Sequence, residues 1–207
     1  MMTLAGPIGP FLIPSEPPET LRICEALTRA VWAGEYEHAE LPTSGIRSVL
    51  DIGAGWGAFA VWALARWGAD LVIDGYEPHE EAFAFLKMNA PSVKLHPVAV
   101  TTDPAPVLCI NEDWGGCSVY RVKEGRPVKA LHPMHLPPAD VLKIDAEGVE
   151  PEVLENYEHM GSLKALIYEF HHIDHRDRLR PICEAAGLRQ VREDTDCTYG
   201  TAIWVPR

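Results

Sequence analysis

Apolar segments of strand length alternate with segments of helical spacing along most of the chain. The helical segments repeat their apolar residues every three or four positions, which is typical of helices that pack one face on a core. Such alternation predicts an α/β fold with a mostly parallel sheet. The predicted strands cover 49–52, 69–76, 93–100, 107–111, 141–144 and 165–170, and the predicted helices cover 17–33, 58–67, 80–89, 151–157 and 174–186.

The last part of the chain breaks this alternation. Apolar residues at 191 and over 198–205 predict two strands with no helix between them. Two such strands form an antiparallel pair, so the sheet is expected to contain one reversed strand.

The start of the chain predicts an extended arm. Five of the first eighteen residues are prolines, which interrupt regular structure. We expect residues 1–45 to form an N-terminal arm and helix, with the arm packed on the domain or covering a pocket, and 46–207 to form the main domain. Within helix 80–89 we expect four side chains in the core, namely Phe83, Phe85, Leu86 and Met88.

A glycine-rich loop follows the first predicted strand of the main domain. Gly53, Gly55 and Gly57 lie between that strand and an apolar helix, where backbone N–H groups are free to meet a ligand. Asp51 precedes the loop and would repel a phosphate. The loop therefore favours a ligand with a positive end, such as the sulfonium and ammonium groups of S-adenosylmethionine.

The same loop also satisfies a looser pattern. Gly53, Gly55 and Ala58 fit the dinucleotide-binding fingerprint, and Glu77 follows Gly57 by twenty residues, at the distance of a ribose-binding acid. A glycine-rich loop alone does not separate a nicotinamide enzyme from a methyltransferase. Asp51 and Gly57 favour the methyltransferase.

Three acids follow the strand 141–144. Asp145, Glu147 and Glu150 lie where ligands of open α/β sheets bind, and so many adjacent carboxylates repel one another without a functional reason. We expect at least one to take part in chemistry. An alternative is a Mg²⁺ or Ca²⁺ site formed by Asp145, Glu147 and Glu169, but this spacing matches no metal motif, so no metal ligands are assigned.

Two histidines follow the strand 165–170. Both lie at the carboxyl end of that strand, and His171 is the stronger candidate of the two for catalysis or substrate contact. An imidazole titrates near neutral pH, so His171 is a candidate general base. The segment 114–120 is predicted to be a glycine- and aromatic-containing loop that borders the active site or lies on the surface.

Composition limits the possible partners. The chain has 207 residues, 47% of them hydrophobic, with a net charge of −12. This acidity disfavours a nucleic-acid footprint, which needs a basic surface. Five scattered cysteines form no Cys-x-x-Cys pair, and no segment is apolar enough for a membrane span or a signal peptide. We expect a cytoplasmic protein that does not bind membranes. The sequence does not indicate its oligomeric state.

Taken together, the motifs resemble the FkbM family of class I S-adenosylmethionine-dependent methyltransferases. The resemblance rests on Val-Leu-Asp-Ile-Gly-Ala-Gly-Trp-Gly (49–57), Tyr-Glu-Pro (76–78) with Asn89, and Leu-Lys-Ile-Asp-Ala-Glu-Gly-Val-Glu (142–150). The later Tyr-Glu-Phe (168–170) adds weaker support. It implies a Rossmann-like fold with a seven-stranded, mostly parallel sheet, one antiparallel strand and helices on both faces.

The resemblance also implies methyl transfer to a hydroxyl group of a small molecule or sugar-like acceptor. By position, the implied cofactor-binding residues are Asp51, Gly53, Ala54, Gly55, Gly57, Glu77, Pro78 and Asp145, with Glu77 on the ribose. The candidate catalytic residues are Asp145, Glu147 and His171. Residues 1–45 and 106–137 carry no assignable motif, so the acceptor is not identified.

Three alternatives remain open. A nucleic-acid base methyltransferase is disfavoured because the chain lacks an Asn/Asp-Pro-Pro-Tyr/Trp tetrapeptide. A nicotinamide-dependent oxidoreductase would use the Gly53–Gly55–Ala58 fingerprint. A non-catalytic cofactor-binding domain would tolerate loss of Asp145 and His171.

Overall fold

The computed structural model describes residues 1–105, 107–108, 125–196 and 199–207. Its five helices among these residues are α1 (Pro18–Ala30), α2 (Ala58–Trp67), α3 (Glu80–Asn89), α4 (Glu150–Asn156) and α5 (Ile173–Ala185). The strands are β1 (Met2–Gly6), β2 (Gly9–Ile13), β3 (Ser48–Ile52), β4 (Val72–Tyr76), β5 (Lys94–His96), β6 (Ala99–Val100), β7 (Val107–Leu108), β8 (Arg126–Pro127), β9 (Ala130–Leu131), β10 (Val141–Ile144), β11 (Ala165–Phe170), β12 (Leu188–Asp196) and β13 (Tyr199–Pro206).

Seven strands form the main sheet, in the order β12-β13-β11-β10-β3-β4-β5. The pairs among β11, β10, β3, β4 and β5 are parallel, whereas β13 is antiparallel to both β11 and β12. The predicted mostly parallel sheet with one reversed strand is confirmed. The carboxyl ends of its parallel strands meet at one edge, where ligands of such sheets bind.

Helices cover both faces of this sheet. Alternate residues of a strand point to opposite faces, so Val141 packs with Phe59 of α2 in one core, whereas Leu142 packs with Leu179 of α5 in the other. Residues of α1 and α3 belong to the first core, and residues of α4 to the second. The two cores bury the central strands from both faces.

The N-terminal arm is an antiparallel hairpin, β1 and β2. Phe11 and Ile13 are buried in the same core as α2. The side-chain Oδ1 of Asn89 accepts a hydrogen bond from the backbone N–H of Leu12, and its Nδ2 donates to the carbonyls of Leu12 and Trp56, at 2.7, 2.8 and 2.9 Å. One side chain thus joins the hairpin, α3 and the glycine-rich loop.

Some predicted elements are wrong in detail. The predicted strand 93–100 is two strands, because Pro97 has no N–H to continue the ladder; β5 joins the main sheet, whereas β6 pairs with β9. Met88 is 45% exposed and lies outside the core, since it points away from the buried Leu86 side of α3. Phe83 and Phe85 are only half-buried.

The remaining differences are at element ends. Helix α1 ends at Ala30 and continues as a π-helical turn, Val31–Glu35, in which Gly34 has a φ of 111°. The predicted strand 107–111 is described only as β7, and the predicted loop 114–120 lies outside the described residues. In the part of the chain that the structure describes, no helix has the length and apolarity to cross a membrane.

Candidate active site

The glycine-rich loop passes closely beside the turn that follows β10. A Cβ atom on Gly53 would lie 1.7 Å from the carbonyl oxygen of Asp145, and Gly53 has a φ of 72°, so only glycine fits there. A Cβ atom on Gly57 would lie 3.0 Å from Leu86 of α3. Gly55, by contrast, faces open space, with no atom within 4 Å of the position a Cβ would take. The loop therefore presents open backbone at its centre.

Two adjoining cavities meet at this loop, with volumes of about 130 and about 420 Å³. Both are lined by Gly53, Gly55, Asp145 and Glu147. The smaller is also lined by Tyr76, Glu77, Pro78, His79 and residues 98–100. The larger is also lined by Glu35, Tyr36, Ala54, Phe59, Lys143, Glu169, His171 and Tyr199.

Glu77 lies at the end of β4 in the wall of the smaller cavity. One carboxylate oxygen accepts from the backbone N–H of Gly55 at 2.8 Å, and the other accepts from the N–H of His79 at 2.7 Å. Burial raises the pKa of Glu77 to about 7, although these two hydrogen bonds lower it in part. Each oxygen keeps a second lone pair for a ligand hydroxyl.

Lys143 is the charged centre of the sheet's α2 face. Its Nζ donates to the carbonyl of Gly53 at 2.7 Å and lies 3.4 Å from Asp51 Oδ1 and 3.6 Å from Asp145 Oδ2. Burial disfavours the ammonium, but the neighbouring carboxylates of Asp51, Asp145 and Glu169 outweigh it and raise the pKa of Lys143. Lys143 remains charged and fixes the loop to β10.

Asp51 is fully buried and is not among the residues that line either cavity. Among the described residues neither of its oxygens has a hydrogen-bond partner, and Lys143 is its ion-pair partner. Burial raises the pKa of Asp51, against the effect of Lys143. A buried carboxylate without hydrogen bonds lowers the stability of the fold. Packing therefore does not explain its position beside the loop, which favours a functional role.

The three candidate catalytic residues meet in the wall of the larger cavity. His171 Nε2 lies 3.3 Å from Glu147 Oε2 and 3.7 Å from Asp145 Oδ1. Glu147 has a φ of 55°, a left-handed conformation that is uncommon for a residue other than glycine and is concentrated at functional sites. The structure brings together side chains from two strand ends, as the sequence predicted.

Glu150 fixes the His171 ring from its other side. It is fully buried at the start of α4, and its Oε1 accepts from the backbone N–H groups of Ala146 and Gly148 at 3.1 and 3.0 Å. His171 Nδ1 lies 3.2 Å from the same oxygen. Because an ionised carboxylate only accepts hydrogen bonds, Nδ1 carries the hydrogen and Nε2 points towards Asp145 and Glu147.

The charges of this group shift one another's pKa values. Burial raises the pKa of Glu147 to about 7, helped by Asp145 and Glu150 and opposed by His171. Burial of Glu150 is overcome by the hydrogen bond from His171 and by the nearby imidazole of His175, 3.6 Å away, which together lower its pKa to about 2. For His171, burial is overcome by Glu150, Asp145 and Glu147, which raise its pKa to about 10.

Tyr36 and Glu169 form a second polar pair in the larger cavity. The buried Tyr36 hydroxyl donates to Glu169 Oε1 at 2.6 Å. Burial raises the pKa of Glu169 to about 8, with a further contribution from Asp145. Glu169 is therefore hydrogen-bonded to a tyrosine. Among the described residues, the group that could bind a metal ion consists of Asp145, Glu147 and His171, with His171 instead of the Glu169 that the sequence suggested.

Helix α1 lies against the same cavities. Leu27 lines both of them and is 46% exposed. Trp56 Nε1 donates to Thr28 Oγ1 at 2.7 Å, which joins α1 to the glycine-rich loop. The N-terminal helix is thus part of the site wall.

Most of the predicted site residues line a cavity. Those that do are Gly53, Ala54, Gly55, Glu77, Pro78, Asp145, Glu147 and His171. Asp51 and Gly57 line neither cavity. Sequence reasoning missed Lys143, Tyr36 and Glu35. A lysine inside an otherwise apolar strand was a usable signal for Lys143, but nothing in the sequence pattern marked the other two.

Solved structures with a similar fold are class I S-adenosylmethionine-dependent methyltransferases. Methyltransferase FkbM from Methylobacillus flagellatus KT is 13% identical, with a TM-score of 0.57, over 90% of this chain and 52% of that one. Fibrillarin from Aeropyrum pernix, solved with bound S-adenosyl-L-methionine, is 12% identical, with a TM-score of 0.53, over 87% of this chain and 74% of that one.

A third is precorrin-6y C5,15-methyltransferase from Geobacter metallireducens GS-15, 14% identical, with a TM-score of 0.52, over 94% of this chain and 93% of that one. No protein-family model and no curated protein sequence matches the chain. The chain has the Rossmann-like methyltransferase fold. At these identities the similarity establishes the fold alone, so membership of the FkbM family stays a prediction.

Proposed function

We propose that this protein is an S-adenosylmethionine-dependent methyltransferase that methylates a hydroxyl group of a small molecule. The observation that carries the proposal is the shared wall of the two cavities. The open glycine loop and Glu77 border the smaller cavity, and the side chains of Asp145, Glu147 and His171 border the larger one. A cofactor pocket and a reaction pocket therefore adjoin at Asp145.

The residues present fit this cofactor. The Glu77 carboxylate can accept hydrogen bonds from the two ribose hydroxyls. The open backbone at Gly55 leaves room for a close approach. The carboxylate of Asp145, and behind the loop that of Asp51, suit a ligand with a sulfonium and an ammonium group. A nicotinamide dinucleotide would place a pyrophosphate near these acids, which disfavours the oxidoreductase.

The chain's own groups account for the rest of the reaction. When bound, S-adenosylmethionine would supply an electrophilic methyl group for in-line transfer to the acceptor oxygen, and that oxygen would have to lose its proton. In-line alignment supplies much of the rate, and the walls contributed by α1 and β10 would fix it. Asp145 and Glu147 are placed to accept the proton, whereas the raised pKa of His171, about 10, keeps its ring protonated near neutral pH and suited to orienting these carboxylates.

The larger cavity favours a small acceptor. Its volume of about 420 Å³ lies within the range of small-molecule sites. Among its described lining residues both cations are already paired with acids, Lys143 with Asp51 and Asp145, and His171 with Glu147 and Glu150. These paired cations are not free to hold a phosphate backbone, which the net charge of −12 would also repel.

A methyl-transfer assay tests the proposal. The purified chain is incubated with S-adenosylmethionine labelled in the methyl group, and with pools of small hydroxyl compounds, total RNA or duplex DNA. The proposal predicts label in the small-molecule fraction, reduced at least a hundredfold by Asp145→Asn. The control variant is Asp70→Asn, which removes the same charge at an exposed position and should keep full activity. Label in nucleic acid alone would contradict it.

A further inference from the structure

The arrangement around His171 requires a positive charge at one ring nitrogen, Nε2. Glu150 accepts the hydrogen bond from Nδ1, so in a neutral ring Nε2 would carry a lone pair. That lone pair faces Glu147 Oε2 at 3.3 Å and Asp145 Oδ1 at 3.7 Å. In that neutral state, three electron-pair donors would converge with no donated hydrogen among them. A cation between them, either a proton on Nε2 or a metal ion, resolves this repulsion.

We propose that Asp145, Glu147 and His171 bind a divalent metal ion at the wall of the larger cavity. Their donor atoms all lie within 4.8 Å of one another. An ion that bonds nitrogen and oxygen at about 2.1 Å separates its donors by roughly 3 to 4 Å, so the two measured separations already match. Two carboxylates balance the charge of the ion.

The surroundings of the three ligands match those of protein metal sites. Metal-binding histidines generally give their other ring nitrogen to a carboxylate, which fixes the ring, and buried Glu150 does this for His171. Asp145 uses its two oxygens separately, since Oδ2 faces Lys143 while Oδ1 faces His171. Lys143 therefore orients one ligand without occupying the site.

The donor set indicates which ion. One imidazole nitrogen and two carboxylates suit a first-row ion such as Mn²⁺ or Zn²⁺, whereas Ca²⁺ and Mg²⁺ prefer oxygen ligands alone. Three protein ligands leave positions open towards the cavity. In the proposed methyltransferase, on which this role of the ion rests, an acceptor hydroxyl bound there would have its pKa lowered.

Manganese binding tests the site without the methyl-transfer reaction. The full chain, freed of metal with a chelator, is titrated with Mn²⁺ while the signal of free Mn²⁺ is followed by electron paramagnetic resonance. One equivalent is expected to bind. His171→Ala and Glu147→Gln should each weaken binding at least tenfold, whereas the adjacent His172→Ala, outside the group, should not change it.

Two controls keep the result interpretable. Circular dichroism melting shows that each variant is folded, and S-adenosylhomocysteine titration shows separately whether the cofactor pocket works. Absence of saturable Mn²⁺ binding by the folded wild type, or equal binding by His171→Ala, would overturn the metal site and leave a proton on Nε2. Such a result with intact S-adenosylhomocysteine binding would leave the proposed function standing.

Discussion

Lys143 and Asp51 occupy paired positions on β10 and β3 and form a buried ion pair, with Nζ 3.4 Å from Oδ1. The same Nζ donates to the Gly53 carbonyl. The pair therefore joins the two strands that carry the glycine-rich loop and the acidic turn. The ion pair thus supports the loop and the turn that form the site, although Asp51 itself lines neither cavity.

Replacing Lys143 with methionine should leave Asp51 buried without a cation. Removal of one partner of a buried pair destabilises a protein by about 3–5 kcal/mol. We expect a loss of this size in urea unfolding, with S-adenosylhomocysteine binding weakened at least tenfold. The double variant Lys143→Met/Asp51→Asn should recover most of the stability. Lys164→Met, which breaks a half-exposed pair with Asp140, is the matched control and should cost under about 1 kcal/mol.

Cofactor affinity should depend on pH through Glu77. Its pKa in the free protein is raised to about 7, so the carboxyl is mostly protonated at pH 6 and mostly ionised at pH 8. Ribose hydroxyls donate to the ionised form, so affinity for S-adenosylhomocysteine should rise about tenfold from pH 6 to pH 8, as one pKa unit on either side implies. Calorimetry on Glu77→Gln, whose amide does not titrate, should show a flatter profile.

The raised pKa of Glu77 makes stability change with pH in the opposite direction to cofactor affinity: it stabilises the folded state more at low pH. A carboxyl whose folded pKa lies above its unfolded value of 4.5 binds its proton more tightly in the folded state. Its contribution to the free energy of unfolding is complete below pH 4.5 and is lost as the pH rises to about 7. A steeper pH dependence of unfolding in Glu77→Gln than in the wild type would contradict this.

Gly53→Ala should damage the site more than another glycine substitution with similar backbone strain. An alanine there would place Cβ 1.7 Å from the Asp145 carbonyl oxygen, so β10 or the loop must move. We expect at least tenfold weaker S-adenosylhomocysteine binding. Gly45 has a similar φ of 77° but faces open space, so Gly45→Ala should cost only the conformational term of about 1–2 kcal/mol and leave binding intact.

Asn89→Ala should release the N-terminal hairpin. The substitution removes three hydrogen bonds and leaves the Leu12 N–H without its partner, which typically costs about 1–3 kcal/mol. Hydrogen exchange should speed up over residues 9–13. Lys87→Ala, at an exposed position of the same helix, should leave exchange in the hairpin unchanged; an equal effect from both would show that Asn89 does not hold it.

The sequence predicted the central elements because their signals are local. The helix at 58–67 and the strands 141–144 and 165–170 were predicted with the bounds that the structure has. Position alone also placed Asp145 and Glu147 after one predicted strand and His171 after another, at the carboxyl ends where ligands of such sheets bind. Pattern and topology were sufficient there.

The rest depends on pairing between distant segments. The hairpin was not predicted, because its prolines hide the alternation that buries Phe11 and Ile13. The contact between Tyr36 and Glu169 spans 133 residues and leaves no local pattern. The sequence pattern indicated only that Lys143 lies in an apolar strand. Its position beside Asp51 depends on the register of β10 with β3, which the pattern does not show.

Calorimetric titration of the purified chain with S-adenosylhomocysteine, and separately with NADH, tests whether the glycine-rich loop and Glu77 bind S-adenosylmethionine. We expect micromolar, one-to-one binding of S-adenosylhomocysteine, no binding of NADH, and loss of binding in Glu77→Ala. A folded wild-type protein that binds no S-adenosylhomocysteine, or that binds NADH instead, would contradict it.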